Sequence, residues 1–271
     1  MNKLASTGQS RFKLYIWKQH MLVLGPDFES HLHSHHAVQL AIGLEGDLRM
    51  RSTSAQPWSA SSAFLVPPNV PHEFDAQGST CALFYLFPGG KAYTGLQKLH
   101  GNSAIEALSI SPEIMQALRK ISASDSREQA LADQVCSLLF ESPATATQTP
   151  QDPRFEAVLG WINRHLDQPI KLAELASAVG ISESWISHRF RQYEGVTLRR
   201  YVLCNRLRNA LHEALKGYSL TDAAHRAGFS DSAHFTRTFR DAYGICPSFV
   251  LSRSEPCQVF WLNDESHTTN G

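Results

Sequence analysis

No stretch of this 271-residue chain carries the run of ~20 apolar residues that crosses a bilayer. Its first residues, MNKLASTGQSRFKLYIW, lack the apolar centre of a secretory signal. The expectation is therefore a cytoplasmic chain without a membrane partner. Cysteines are few and scattered: Cys81, Cys136, Cys204, Cys246 and Cys257 are odd in number and hold no C-x-x-C spacing. That pattern speaks against a disulfide framework and against a zinc knuckle. Net charge is absent too, with 25 Lys and Arg against 25 Asp and Glu, so nothing global announces a polyanionic partner. Paired catalytic carboxylates, a nucleophile elbow and a phosphate loop are also missing, and no enzyme is expected.

What is present begins with a 42% hydrophobic content, enough for ordinary globular cores in one or two domains. The segment Ser142–Pro153, SPATATQTPQDP, has almost no core-forming side chains and reads as a linker. Before it, FKLYIW, VQLAIGL, DLRMRS, SAFLVPP and CALFYLF are short β-type runs separated by turn residues. Their close spacing predicts a small antiparallel barrel or sandwich. Between Pro112 and Leu139 apolar residues recur every three or four positions, which predicts two helices. From Phe155 to about Tyr243 the pattern is helical, broken by short Gly-Ser turns. The fold class that follows is α+β. Residues 1–141 form a β-rich domain plus a helical pair, 142–153 a linker, 154–252 an all-helical domain, and 253–271 a tail. Within 154–252, 13 basic residues face 9 acidic ones, and many of the arginines fall between Arg189 and Arg208.

The helical part repeats itself. Leu172-Ala-Glu-Leu-Ala176-Ser-Ala-Val-Gly180-Ile-Ser182 aligns with Leu220-Thr-Asp-Ala-Ala224-His-Arg-Ala-Gly228-Phe-Ser230. Each copy runs on into an amphipathic helix ending Phe-Arg-x-x-x-Gly, at Phe190 to Gly195 and Phe239 to Gly244. Ala176 and Ala224 permit close helix contact. Gly180 and Gly228 supply the positive φ that ends one helix and turns the chain. Ser182 and Ser230 can cap the next helix, and Ser219 with Asp222 resembles a capping box. Helix, Gly-containing turn and second helix make a helix-turn-helix unit, whose second helix enters a DNA major groove. One copy could be a packing hairpin. Two matched copies joined by an Arg-rich helix over about 198–216 suit two recognition helices ~34 Å apart on duplex DNA.

Helical faces then sort the side chains. Trp185, Ile186 and Phe190 in the first recognition helix, and Phe235 and Phe239 in the second, are expected in the core. Ser184, Ser187 and His188 are candidates for base edges, with Arg191 for phosphate. Ser232, Ala233, Thr236 and Arg237 face the second groove, with Arg240 near the backbone. Arg237 has the reach and fork geometry to grip guanine O6 and N7. Residues 155–250 resemble the DNA-binding domain of AraC/XylS regulators, through Leu172, Ala176, Gly180, Ser182, Phe190, Gly195, Tyr201, Arg206, Leu207, Ala210, Ala224, Gly228-Phe229, Phe235, Phe239, Gly244 and Pro247. His188 stands where that family usually has Arg, and Val250-Leu251 replaces its Tyr-Arg ending.

The β-rich part holds a histidine cluster, His31-Leu-His33-Ser-His35-His36, and a distant His72 in Pro67-Pro-Asn69-Val-Pro-His72. Alternating histidines on a strand share one face. Residues 31–87 resemble a cupin barrel. His33-x-His35-x3-Gln39-x6-Gly46 follows its first motif, with Gln39 where glutamate is usual. Pro67-x-Asn69-x2-His72 follows its second, with Asn69 where glycine is usual. That resemblance implies a pocket lined by His33, His35, Gln39 and His72. Three imidazoles suit Zn, Fe, Ni or Cu. An organic effector in the same pocket and purely structural histidines are the other two readings.

Together these features point to a sequence-specific DNA-binding transcription regulator, activator or repressor, whose cupin-like domain senses a small molecule or a metal ion. A homodimer through the helical pair at 112–140 is expected, as is RNA polymerase as a partner of an activator. A metal-dependent cupin enzyme with an accessory helical domain is the alternative, separable by measuring turnover against DNA binding.

Overall fold

The computed structural model describes residues 12–17, 20–86, 93, 96, 104–124, 126–140, 152–194, 196–251 and 257–262. The N-terminal part contributes β1 (Phe12–Ile16), β2 (His20–Gly25), β3 (Glu29–His33), β4 (Val38–Gly43), β5 (Leu48–Arg51), β6 (Ser59–Ser61), β7 (Ala63–Val66), β8 (His72–Asp75), β9 (Cys81–Leu86) and β10 (Glu106–Leu108). Helices α1 (Pro112–Ala123) and α2 (Gln129–Phe140) follow. The C-terminal part holds α3 (Pro153–Arg164), α4 (Leu172–Val179), α5 (Glu183–Arg189), α6 (Leu198–Leu215), α7 (Leu220–Arg226), α8 (Ser232–Tyr243) and α9 (Pro247–Leu251), then one more strand, β11 (Cys257–Trp261).

The strands form two sheets, one in the order β10-β7-β4-β9-β2-β1-β11 and one in the order β3-β8-β5-β6. Side-chain period two explains why the larger sheet reads as continuous apolar runs. Leu14, Ile16, Met21, Val23, Phe64, Leu83 and Tyr85 pack inward against Leu48, Met50 and Phe74 of the smaller sheet. Their alternate neighbours Tyr15, Leu22, Leu24, Leu40, Ile42, Leu65, Phe84 and Leu86 pack outward, where α1 and α2 cover them with Ile114, Leu118, Ile121, Val135 and Phe140. A sheet covered on both faces needs apolar residues on both. The smaller sheet is covered on one face only. Its solvent side carries the cross-strand ion pairs Arg49–Asp75 and Arg51–Glu73. Lys13 is buried, and its ammonium donates to Ile121 O at 2.7 Å and Ser122 O at 3.1 Å. A cation there satisfies carbonyls left free at the end of α1.

Several expectations change. Residues 142–151 of the expected linker lie outside the described residues. Asp152 and Pro153 begin the helical part rather than end the linker: Asp152 is the N-cap, its carboxylate accepting from Arg154 N, and Pro153 opens α3. The periodicity reading also passed over β2, β3, β6, β8 and β10. The tail contributes β11, which runs parallel to β1 in register from Phe12↔Cys257 to Ile16↔Trp261. Leu262 beyond it is fully buried and donates its amide to Ile16 O at 2.9 Å.

Helix α6 joins the two halves of the C-terminal part. Tyr201 and Val202 sit in one core with Phe155, Ile162, Leu175, Ile186 and Phe190. Cys204, Leu207, Ala210 and Leu211 of the same helix sit in the other, with Ala224, Phe229, Phe235 and Phe239. At 18 residues, α6 is a rigid spacer about 27 Å long.

Candidate nucleic-acid interface and histidine centre

In the first unit α4 ends at Gly180, whose φ is +69°, and Ser182 accepts from Trp185 N to start α5. In the second, Gly228 turns the chain at a φ of +82°. Here the expected cap is displaced by one residue. Asp231, not Ser230, accepts from His234 N at 2.7 Å, while the Ser230 hydroxyl donates to Asp231. A carboxylate at that position also suits the positive end of the α8 dipole. Ser219 caps α7 through Asp222 N, as its spacing implied.

The faces sort as the helical period requires. Ile186, Phe190, Phe235 and Phe239 are buried, while Ser184, Ser187, His188 and Arg191 are exposed on the first unit. Ala233, Arg237 and Arg240 are exposed on the second, with Ser232 and Thr236 half-buried. Trp185 packs at the edge of the first unit's core rather than within it: it is half-buried, with the Arg154 guanidinium 4.8 Å and that of Arg189 5.5 Å from its ring. The α5 helix also continues as a π-type turn over Phe190–Glu194, which carries Arg191. His234 is not singled out by the sequence pattern. It is exposed in the first turn of α8, the end of a recognition helix that meets base edges, and only its offset from Asp231 could have revealed it.

The histidines divide. His31 and His36 are exposed, and the ring of His36 donates to Asn69 Oδ1 at 2.6 Å. His33, His35 and His72 converge, one nitrogen from each lying within 4.8 Å of the others. The expectation that His33 and His35 share a strand needs correction. His33 ends β3 opposite His72 on β8, whereas His35 lies past the strand end. Convergence comes from the chain turning into β4, not from strand alternation. Asn69 adopts a φ of +60°, the left-handed conformation that asparagine tolerates and glycine prefers, and its amide donates to His35 O at 2.8 Å.

Each ring of the trio is anchored in the same way. His33 Nδ1 donates to His31 O at 2.9 Å, His35 Nδ1 to Ala37 O at 3.0 Å, and His72 Nδ1 to Val70 O at 2.9 Å. Burial pushes His72 down to about 3 and lowers His35 as well, so both are neutral at pH 7. A neutral ring that donates from Nδ1 keeps its lone pair on Nε2. The Gln39 amide, on the inward face of β4, lies 2.9 Å from His35 Nε2 and 3.2 Å from His72 Nε2. The atom at those distances is Oε1, and since both rings already donate from Nδ1, the flipped amide, with its N–H groups at that position, is the assignment that satisfies both lone pairs. Fixed tautomers with Nε2 directed inward are what a transition metal requires of histidine ligands. The residues fit such an ion, with Gln39 as a neutral neighbour.

Residues 175–253 match the family profile described as "Helix-turn-helix domain". The HTH-type transcriptional activator RhaS of Klebsiella pneumoniae is 33% identical over 115 residues, 42% of this chain and 41% of RhaS. The probable transcriptional regulator LumQ of Photobacterium leiognathi is 25% identical over 225 residues, 80% of this chain and 90% of LumQ. A crystal structure of ToxT from Vibrio cholerae O395 superposes with a TM-score of 0.48 and 11% identity, over 86% of this chain and 96% of that one. The chain spans about two fifths of the length of relatives such as RhaS. These relatives are named as transcription regulators and not as enzymes.

Proposed function

We propose that this chain, whose helix-turn-helix region is similar to AraC/XylS regulators, is a sequence-specific DNA-binding transcription regulator that senses a divalent transition-metal ion. Both recognition helices offer polar faces to the groove. Ser184, Ser187, His188, Ser232, Ala233, Thr236 and Arg237 meet base edges, and Arg191 and Arg240 hold phosphate. His33, His35 and His72 hold the ion. One observation carries the sensing role: three rings, each tied by Nδ1 to a carbonyl, bring one nitrogen apiece within 4.8 Å of one another. The ion is preferred to an organic effector because Phe64, Phe74, Met50 and Tyr85 are buried together in one apolar core between the sheets. As an activator, the protein would have RNA polymerase as its further partner.

Fluorescence anisotropy on operator and random duplexes, with and without zinc, tests this reading. Arg237→Ala should cost ~1–3 kcal/mol on the preferred site and relax one base preference. Arg191→Ala and Arg240→Ala should weaken binding to all sequences and lower the salt slope by about one. Zinc should change operator affinity in the parent chain and not in His72→Ala. Equal losses on both duplexes for Arg237→Ala would remove that residue from base reading.

A further inference from the structure

The second helix-turn-helix unit is seated on the sandwich at the histidine trio. At the end of α8, Asp241 O accepts from His36 N at 2.8 Å and Ala242 O from Ala37 N at 3.0 Å. These two main-chain bonds grip the segment that carries His35. The next residue but one, Gly244, caps α8 with a φ of +76° and lies directly on the rings. A Cβ on Gly244 would stand 2.6 Å from His35 Cδ2 and 3.0 Å from His33 Nε2. Even a methyl group has no room there. Further contacts away from the trio hold the same unit down. The Phe249 ring of α9 meets Phe12 at 5.0 Å and Phe28 at 5.7 Å, and Trp261 of β11 meets His212 of α6 at 5.0 Å.

A zinc-like ion changes what this seat must hold. With ligand nitrogens ~2.0–2.1 Å from a tetrahedral ion, the nitrogens stand about 3.3 Å apart. The three nitrogens, which lie within 4.8 Å of one another, have to settle at that spacing, and the ion needs a fourth ligand beside them. Docked α8 brings Gly244 so near His33 Nε2 that an added Cβ would stand 3.0 Å from it, which leaves little room there for a fourth ligand. We propose that metal occupancy of His33, His35 and His72 and docking of the second helix-turn-helix unit oppose each other, so that the ion frees α8 from the sandwich. This inference rests on the metal reading above. Linkage makes the effect reciprocal: a docked α8 weakens metal binding by the factor with which metal weakens docking.

Two measurements on the full chain test it. Calorimetric titration with zinc chloride reports affinity, and hydrogen-exchange mass spectrometry reports the amides of His36 and Ala37. Zinc should speed exchange in peptides covering residues 34–38 about fivefold or more, and His72→Ala should abolish that response. Phe249→Ala loosens the seat far from the rings and should tighten zinc binding about fivefold. Zinc that binds the parent chain while exchange at 34–38 stays constant or slows would overturn the antagonism but leave the metal reading standing. Absence of zinc binding to the parent chain would sink both. Should Phe249→Ala fail to fold, the exchange measurement on the parent chain still decides.

Discussion

Two glycines in equivalent places carry different obligations. Gly180 and Gly228 both turn their units at positive φ, so alanine at either costs roughly 1–2 kcal/mol of backbone strain. At Gly180 a Cβ meets nothing within 4 Å, whereas at Gly228 it falls 2.6 Å from Leu166 O and 3.0 Å from Arg206 Nε. That arginine donates to the same carbonyl at 2.8 Å and so ties α6 to the first unit. Gly228→Ala should therefore lower the urea midpoint clearly more than Gly180→Ala, and equal losses would show that the Arg206 bridge adapts freely. His20 offers a second test. Its ring stacks on Trp17 at 4.6 Å, and its Nε2 is shut off from solvent without a partner among the described residues. Burial lowers its pKa to about 3, against 6.5 in an unfolded chain. The unfolded state alone takes up the proton between those values, so stability is lost as pH falls from about 6.5 toward 3. Replacing His20 by Phe should make the drop in urea midpoint between pH 7 and pH 5 smaller than in the parent.

At the scale of elements, the tail strand ties the two ends of the chain together. β11 adds a parallel edge to β1, Phe260 packs on Tyr15 at 4.8 Å, and Arg208 of α6 lies 5.9 Å from the Trp261 ring. Parallel pairing has no local turn to hold it, so the strand depends on the side chains that seat it. Leu262, fully buried among the residues that α1 and α2 cover, is the chief of these. Leu262→Ala should cost roughly 2–5 kcal/mol of unfolding free energy, read from urea denaturation. An unchanged midpoint would mean that the strand contributes nothing to the sandwich.

For the whole molecule, we propose a homodimer through the helical pair. The helical pair spends most of its apolar surface inside the chain: Ile114, Leu118, Ile121, Ala132, Val135 and Phe140 pack on the larger sheet. Leu138 is left 47% exposed on α2, beside half-buried Leu131 and Leu139. That strip is the proposed dimer surface. Light scattering of the full chain should report a dimer at micromolar concentration, and Leu138→Glu should shift it to monomer without changing the thermal midpoint. A monomeric parent chain would remove α2 from the assembly.

Local rules carried much of this fold. The matched Leu-Ala-Gly-Ser spacing settles the two helix-turn-helix units, because helix periodicity and the positive φ of Gly180 and Gly228 are decided within a few residues. Alternation likewise marks β5, where one sheet face is wet. Alternation was invisible for β2, which is buried on both faces, and absent from β3, which ends in an irregular register. Histidine spacing named the members of the trio, yet its convergence depends on β8 lying beside β3, a long-range pairing that no local pattern encodes. The seat of Gly244 on His33 and His35, and the return of β11 to β1, bring together residues about 200 positions or more apart. Such contacts are chosen by the burial they complete once both parts have folded, and only the tertiary structure decides them.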